Sequence, residues 1–123
     1  MELDTEHGTA RLSTADLIGC RALAAMTHDQ VTRIFTDALT LCGATIVKVA
    51  SHAYPGQGLT CVAILEESHA VVHTWPESGI VHVDVFTCSG TLRTREAIAA
   101  LGRIFEAETV TIHDVPRASG VPT

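Results

Sequence analysis

Apolar residues recur along this chain with two different periods, which separate predicted helices from predicted strands. Residues 28–42 and 94–106 have the three- and four-residue spacing of amphipathic helices. Thr27 and Gln30 fit a capping box before the first helix, and Gly43 fits the position after its end. Short β-rich runs predict strands at roughly 11–18, 44–52, 59–66, 69–75, 80–87 and 108–114.

The order of these elements is β-α-β-β-β-β-α-β, and neighbouring strands are close enough in sequence to form hairpins. This order predicts an α+β fold in which the helices pack on one face of an antiparallel sheet. Residues 76–79 give the clearest turn signal, between the fourth and fifth strands. Because no repeat or linker divides the 123 residues, we expect residues 1–123 to form a single domain with loose ends at 1–10 and 117–123.

The spacing of apolar residues also predicts which side chains face the core. In the second helix, the buried side should comprise Ala97, Ile98, Leu101, Ile104 and Phe105. In the fifth strand, Val81, Val83 and Val85 should point inward. The opposite face of the fourth and fifth strands would then carry His69, Val71, His73, Trp75, His82, Asp84, Phe86 and Cys88. A polar row of this kind is either washed by solvent or lines a site.

Composition and charge narrow the range of partners. Hydrophobic residues make up 46% of the chain but aromatic residues only 4%, so the core must be mainly aliphatic. Eight basic and 14 acidic residues give a formal net charge of −6, and no cluster of Lys or Arg stands out. We therefore expect no nucleic-acid partner, because phosphate binding needs concentrated positive charge. A cationic small molecule suits this charge better.

The cysteines and the apolar runs suggest where the protein works. No secretory signal precedes the first strand, and no run approaches the length of a membrane span, so we expect no membrane attachment. Cysteines 20, 42, 61 and 88 lie far apart without a C-x-x-C pair. This spacing favours reduced thiols in a cytoplasmic protein, with Cys42 and Cys61 as small buried hydrophobes.

The densest group of reactive side chains lies between residues 67 and 88. It could supply zinc ligands from His69, His73, His82, Asp84 and Cys88. Their spacing matches no compact zinc motif, so we expect no metal. A Ser-His-acid hydrolase is a second alternative, but Ser68 does not lie in a G-x-S-x-G elbow.

Three motifs follow one another through this region: Glu67-Ser68-His69, His-Thr-Trp-Pro-Glu at 73–77 and Asp-Val-Phe-Thr-Cys at 84–88. Residues 16–20 and 51–60 add two segments at matching distances. Together they resemble the small bacterial S-adenosylmethionine decarboxylases, which make their own pyruvoyl cofactor. The resemblance covers most of residues 11–115. It implies a two-layer α/β sandwich and active sites built across a homodimer.

The resemblance implies that the chain cuts itself between Glu67 and Ser68, giving fragments 1–67 and 68–123. The chemistry fits these residues, since the Ser68 hydroxyl can attack the Glu67 carbonyl and convert the amide into an ester. Loss of the Ser68 Cα proton then expels the Glu67 carboxylate, and hydrolysis leaves a pyruvoyl group. By resemblance, His73 is the base for that proton and Thr60 assists the acyl shift.

The resemblance also assigns roles in turnover. The pyruvoyl group acts as an electron sink through a Schiff base with the substrate amine. Cys88 matches the acid that reprotonates the α-carbon, and a thiol suits this task because its reference pKa lies near neutrality. Glu77 matches the carboxylate that binds the ribose, and Tyr54 matches the aromatic residue that stacks on adenine. The product would supply spermidine synthesis.

Three stretches depart from the family pattern. Leu12-Ser13 stands where the family has His-Leu, Ser89 separates Cys88 from Gly90, and Ile80-Val81-His82 replaces Tyr-Ala-Ala. These departures leave the proposed catalytic residues in place but loosen the assignment of the substrate. One alternative is a pyruvoyl-dependent decarboxylase of a basic amino acid such as arginine or ornithine. Another is a paralogue that does not process itself and acts as a regulatory or structural partner.

Overall fold

The predicted strands form one antiparallel sheet in the computed structural model, which describes residues 10–88 and 90–118. Within those residues the sheet has six strands in the order β2-β3-β4-β5-β1-β6, and every neighbouring pair is antiparallel. The α+β class and the antiparallel sheet predicted from the sequence are therefore confirmed. The strands are β1 (Ala10–Ile18), β2 (Ile46–Ala53), β3 (Leu59–Leu65), β4 (Ser68–Trp75), β5 (Ile80–Thr87) and β6 (Thr109–Arg117).

Two helices, α1 (His28–Leu41) and α2 (Thr94–Ile104), contact each other and share one core with the sheet. The capping box is present as predicted: Thr27 accepts from the Gln30 backbone, and the Gln30 side chain accepts from the Thr27 backbone. Gly43 ends α1 with φ of +105°, and a Cβ there would lie 2.2 Å from the Thr91 carbonyl oxygen. Only glycine fits both demands.

The core lies between the helices and the inner face of the central strands. Val81, Val83 and Val85 are at most 1% exposed, as their alternation predicted, and Ala70 and Val72 on β4 are fully buried beside them. Each such valine stabilises the fold by roughly 1.5–3 kcal/mol relative to an exposed one. These strands are therefore held rigidly, with their other face turned away from the helices.

The outer face, defined as the face of the sheet opposite the helices, carries the polar row predicted for β4 and β5. Cross-strand pairing extends that row in both directions, because residues that pair directly share a face. It runs His52–Thr60–His73–His82–Asp16 across β2, β3, β4, β5 and β1. Trp75 and Ile64 on this face are about half exposed.

Several boundaries differ from the sequence prediction. Ile104 is 44% exposed, so it does not join the buried side of α2, whereas Phe105 is fully buried. Ala10 and Arg117 lie inside β1 and β6, whose pairing extends both strands beyond their apolar runs. The remaining predicted loose ends, at 1–9 and 119–123, lie outside the described residues. Across the part of the chain that the structure describes, no helix is long and apolar enough to span a membrane.

Candidate functional site

The β3–β4 hairpin holds the peptide bond that the sequence marked for cleavage. Leu65 pairs with Ser68, which leaves only Glu66 and Glu67 to make the turn. Glu67 adopts φ of +58°, a left-handed conformation that costs a non-glycine residue roughly 1–2 kcal/mol. Two-residue hairpins normally place Gly, Asn or Asp at such positions. The backbone is therefore strained at the residue whose carbonyl Ser68 would attack.

Cys88 lies directly against this bond. Its Sγ donates to the Glu67 carbonyl oxygen at 2.9 Å, and the Ser68 hydroxyl donates to Thr87 Oγ1 at 3.4 Å. The contact follows from the β4–β5 register, since His69 pairs with Phe86 and the next positions outward bring Glu67 opposite Cys88. We call Glu67, Ser68 and Cys88 the hairpin cluster. The sequence assigned Cys88 only to turnover, so its contact with the Glu67 carbonyl oxygen is an additional feature.

A cavity of about 280 Å³ opens beside the hairpin cluster. Its other walls come from the connection that follows α1, at Gly43 and Thr45, and from Leu92 ahead of α2. Cys88 is partly buried at its edge. A small reactive group made from Ser68 would therefore have space next to the thiol.

A second group of predicted site residues lies elsewhere, on the outer face. His73 Nδ1 is 2.9 Å from Thr60 Oγ1, which is 3.1 Å from the Tyr54 hydroxyl. The direction of each bond depends on the His73 tautomer and on the orientation of the two hydroxyl groups. In every arrangement Nδ1 is committed to Thr60, so Nε2 is the nitrogen left for proton transfer. We call Tyr54, Thr60, His73 and Glu77 the outer-face cluster.

The outer-face cluster surrounds a cavity of about 320 Å³. Thr60 and His73 lie on neighbouring strands in its wall, and exposed Glu77 is presented by the turn after β4. Tyr54 and Trp75 add two aromatic side chains, 48% and 49% exposed. Aromatic walls with one carboxylate suit a planar base joined to a sugar and a cation.

The two clusters do not meet within one chain. His73 lies five positions after Ser68 along β4, which corresponds to about 16 Å. The odd spacing also places their side chains on opposite faces of the sheet, because successive residues of a strand alternate. His73 therefore cannot reach Ser68 of the same chain in this conformation. The structure brings Glu67, Ser68 and Cys88 together, and separately Tyr54, Thr60, His73 and Glu77.

Sequence reasoning left one part of the outer face without a role. Trp75 Nε1 donates to His82 Nδ1 at 3.1 Å, and His82 Nε2 lies 3.9 Å from Asp16 Oδ1. His82 is also the direct cross-strand partner of His73. The strand alternation already placed Trp75 and His82 on this face, but the contact between them depends on the register of β4 and β5.

The remaining reactive side chains show no such organisation. All four cysteines are free thiols, and Cys42 and Cys61 are buried as predicted. Burial raises the pKa of the Cys20 and Cys61 thiols, which keeps them protonated and unreactive. Among the residues that the structure describes, no three His, Cys, Asp or Glu side chains are grouped to hold a metal ion.

Comparisons with known proteins cover nearly the whole described chain. A family model described as S-adenosylmethionine decarboxylase matches residues 11–118. A protein of Methanococcus maripaludis strain C7 named S-adenosylmethionine decarboxylase proenzyme is 35% identical over 102 residues, covering 83% of this chain and 84% of that protein. A protein of Clostridium tetani with the same name is 36% identical over 103 residues, covering 84% and 82%. The crystal structure of the adenosylmethionine decarboxylase from Aquifex aeolicus shares the fold, with a TM-score of 0.80 at 22% identity over 91% of this chain and 92% of that one.

Proposed function

The chain belongs to the S-adenosylmethionine decarboxylase family, and we propose that it converts its own Ser68 into a pyruvoyl group that decarboxylates S-adenosylmethionine. The observation that carries this proposal is the strained Glu67–Ser68 bond with the Cys88 thiol on its carbonyl oxygen. The residues at the hairpin fit a group made in place, since a cavity adjoins Ser68 and no larger cofactor has to be held there.

Self-processing begins when Ser68 Oγ adds to the Glu67 carbonyl carbon. Negative charge then develops on the carbonyl oxygen that Cys88 contacts, and a donor at that position stabilises it. The C–N bond breaks and the chain continues through an ester, which releases part of the strain stored at Glu67. A base removes the Ser68 Cα proton, the Cβ–Oγ bond breaks, and Glu67 leaves as a free carboxylate. Water then hydrolyses the resulting dehydroalanine. This step releases its nitrogen as ammonia and leaves the pyruvoyl group at the new N-terminus.

In turnover, each cluster would have its own task. The pyruvoyl carbonyl supplies the electron sink that loss of carbon dioxide from an α-amino acid requires. Cys88 is positioned beside Ser68 and can return a proton to the substrate carbon. In the outer-face cluster, Tyr54 would stack on adenine and Glu77 would accept hydrogen bonds from the ribose hydroxyls. Cys88 must remain a thiol for this role, so we place the enzyme in the reducing cytoplasm.

We further propose a homodimer in which each site takes one cluster from each protomer. The separation of about 16 Å between Ser68 and His73 supports this arrangement, because both are required and neither can reach the other within a chain. The outer face also exposes apolar side chains, including Ile64 and Trp75, between its polar rows. A two-fold axis through this face would form two equivalent sites from two identical surfaces.

Denaturing mass spectrometry of the purified protein tests self-processing directly. We expect two polypeptides, 1–67 and 68–123, with the second blocked at its N-terminus by the pyruvoyl group. Ser68→Ala should remain a single chain, whereas Ser78→Ala, a serine in the turn after β4, should be cut like the wild type. A wild-type protein that stays intact after long incubation would contradict the proposal and favour a non-processing paralogue.

Release of labelled carbon dioxide tests the substrate. We expect release from carboxyl-labelled S-adenosylmethionine and not from arginine or ornithine. A cleaved enzyme that prefers arginine or ornithine would retain the cofactor but overturn the assignment of the substrate.

A further inference from the structure

We propose that His82 is a positioning residue for substrate binding, which holds the Trp75 indole at the wall of the outer-face cavity. The inference rests on the proposed function, since it assumes that the adenosyl group occupies the cavity lined by Tyr54 and Trp75. It concerns binding alone, because His82 donates no group to the reaction in this proposal and acts through Trp75, for which no step of processing or turnover is proposed.

The contact arises from a diagonal relation between two strands. Trp75 pairs with Ile80, and His82 stands two residues further along β5 on the same face. Diagonal neighbours at this spacing are within reach of long aromatic side chains. The Trp75 and His82 rings meet edge to face, with centroids 6.2 Å apart and planes at 71°. The indole Nε1–H donates to His82 Nδ1 at 3.1 Å.

The hydrogen bond from the Trp75 indole determines the tautomer of His82. An indole N–H can only donate, so His82 Nδ1 must be the acceptor and the proton of the neutral ring must sit on Nε2. Asp16 Oδ1 lies 3.9 Å from that Nε2 atom, and its negative charge favours a proton on this side of the ring. Asp16 thus supports the tautomer in which His82 accepts from Trp75.

The hydrogen bond to His82 restricts the conformation of Trp75. The Trp75 side chain is 49% exposed, and a half-exposed indole without a polar partner can occupy several rotamers. Fixing it in advance reduces the ordering cost when a ligand binds. An adenine ring or a sulfonium cation would then meet a preformed aromatic surface beside Tyr54. One net hydrogen bond of this kind corresponds to roughly fivefold in a binding constant.

The experiment uses the only tryptophan of the chain, so fluorescence reports on Trp75 alone. Wild type, His82→Leu, His82→Gln and Asp16→Asn are purified as cleaved enzymes, with cleavage confirmed by mass spectrometry. His69→Leu is the matched control, because His69 lies on the same face but stacks on Phe86 instead. Each is titrated with 5′-deoxy-5′-methylthioadenosine, a nucleoside that lacks the aliphatic α-amino group of the substrate, and assayed for KM and kcat with S-adenosylmethionine.

We expect His82→Leu to raise both KM and the nucleoside dissociation constant roughly fivefold, with kcat changed less than about twofold. The Trp75 emission of the free enzyme should also shift. His82→Gln, whose amide oxygen can accept from the indole, should restore both constants to within about twofold of wild type. Asp16→Asn should give a smaller increase in the same direction, and His69→Leu none.

The inference is overturned if an active His82→Leu enzyme keeps its KM and its dissociation constant. It is also overturned if kcat falls at constant KM, or if His82→Gln is as impaired as His82→Leu. If His82→Leu fails to fold, His82→Gln and Asp16→Asn are compared with the wild type instead. The inference is then overturned if Asp16→Asn keeps the wild-type KM and nucleoside dissociation constant and neither variant changes the Trp75 emission. Failure of the proposed function is distinct, since the wild type itself would then show no cleavage or no carbon dioxide release.

Discussion

The hairpin cluster and the outer-face cluster use the same sheet in opposite ways. The hairpin cluster lies at the end of two strands, where a left-handed Glu67 stores strain and one thiol touches one carbonyl. The outer-face cluster lies in the middle of paired strands, where hydrogen bonds join Tyr54, Thr60 and His73 on a rigid surface. Strain suits a bond that breaks once, whereas a rigid surface suits a ligand that binds many times. Because Thr60 and His73 of the outer-face cluster are also assigned to processing, we expect Tyr54 and Glu77 to be the members of that cluster whose mutation affects substrate binding without preventing cleavage.

The largest expected effect on cleavage comes from combining one variant of each cluster in a mixed dimer. His73→Ala and Ser68→Ala should each abolish cleavage when expressed alone. When they are co-expressed with different tags, a mixed dimer has one intact Ser68 facing one intact His73 across the interface. With random pairing, about half of the His73→Ala chains should then be cut. Mass spectrometry of each tagged chain measures this, and a lack of cleavage in demonstrated mixed dimers would contradict the composite site.

A variant of Cys88 tests whether its thiol assists the acyl shift. Cys88→Ala removes the donor at the Glu67 carbonyl oxygen, so we expect cleavage to slow by about 10- to 100-fold, less than for a full oxyanion donor because a thiol is a weak one. Cys88→Ser should recover part of this rate. Timed gel analysis of freshly refolded protein provides the measurement, with buried Cys42→Ala as the control. Wild-type cleavage in Cys88→Ala would confine Cys88 to turnover.

Backbone strain at Glu67 should have a smaller effect. Glycine accepts the positive φ without the clash of a Cβ, which stabilises the uncut chain by about 1 kcal/mol relative to alanine. Glu67→Gly should therefore cleave roughly fivefold more slowly than Glu67→Ala, and the uncut form should unfold at a higher temperature. Both variants lack the carboxylate, so their comparison isolates the backbone. Equal rates in the two variants would show that strain does not assist the reaction.

The smallest effect is expected at Asp114, which belongs to neither cluster. The Ser13 hydroxyl donates to its Oδ1 at 2.6 Å and Arg95 to its Oδ2 at 2.8 Å, and these contacts lower the pKa of Asp114. A lowered pKa stabilises the fold above the unfolded value near 4, and this contribution is lost as the pH falls through the folded value. Asp114→Asn should lose about 0.5–1 kcal/mol at pH 7, because much of the interaction is screened by solvent.

Chemical denaturation of wild type and Asp114→Asn between pH 7 and pH 3 measures this difference. The two stabilities should converge toward acid pH, while the extent of cleavage stays the same in both proteins. A gap that widens at low pH would mean that the Asp114 contacts do not depend on its charge.

Local patterns in the sequence determined much of this protein. Alternation placed Val81, Val83 and Val85 inward and His73, Trp75 and His82 outward, because only one face of these strands can be buried by the helices. The two-residue turn after Leu65 and the turn at 76–79 then set the register of β3, β4 and β5. Short hairpins allow few registers, so Thr60 beside His73 and Cys88 opposite Glu67 were implicit in the sequence.

Tertiary structure decided what local pairing could not. β1 enters the sheet between β5 and β6, far from its neighbours in sequence, and only this placement brings Asp16 to His82. The left-handed conformation of Glu67 also opposes its intrinsic preference, and the pairing on both sides imposes it. Most importantly, the strand holds Ser68 and His73 about 16 Å apart. Their adjacency in sequence suggested one catalytic group, whereas an extended backbone makes them parts of two.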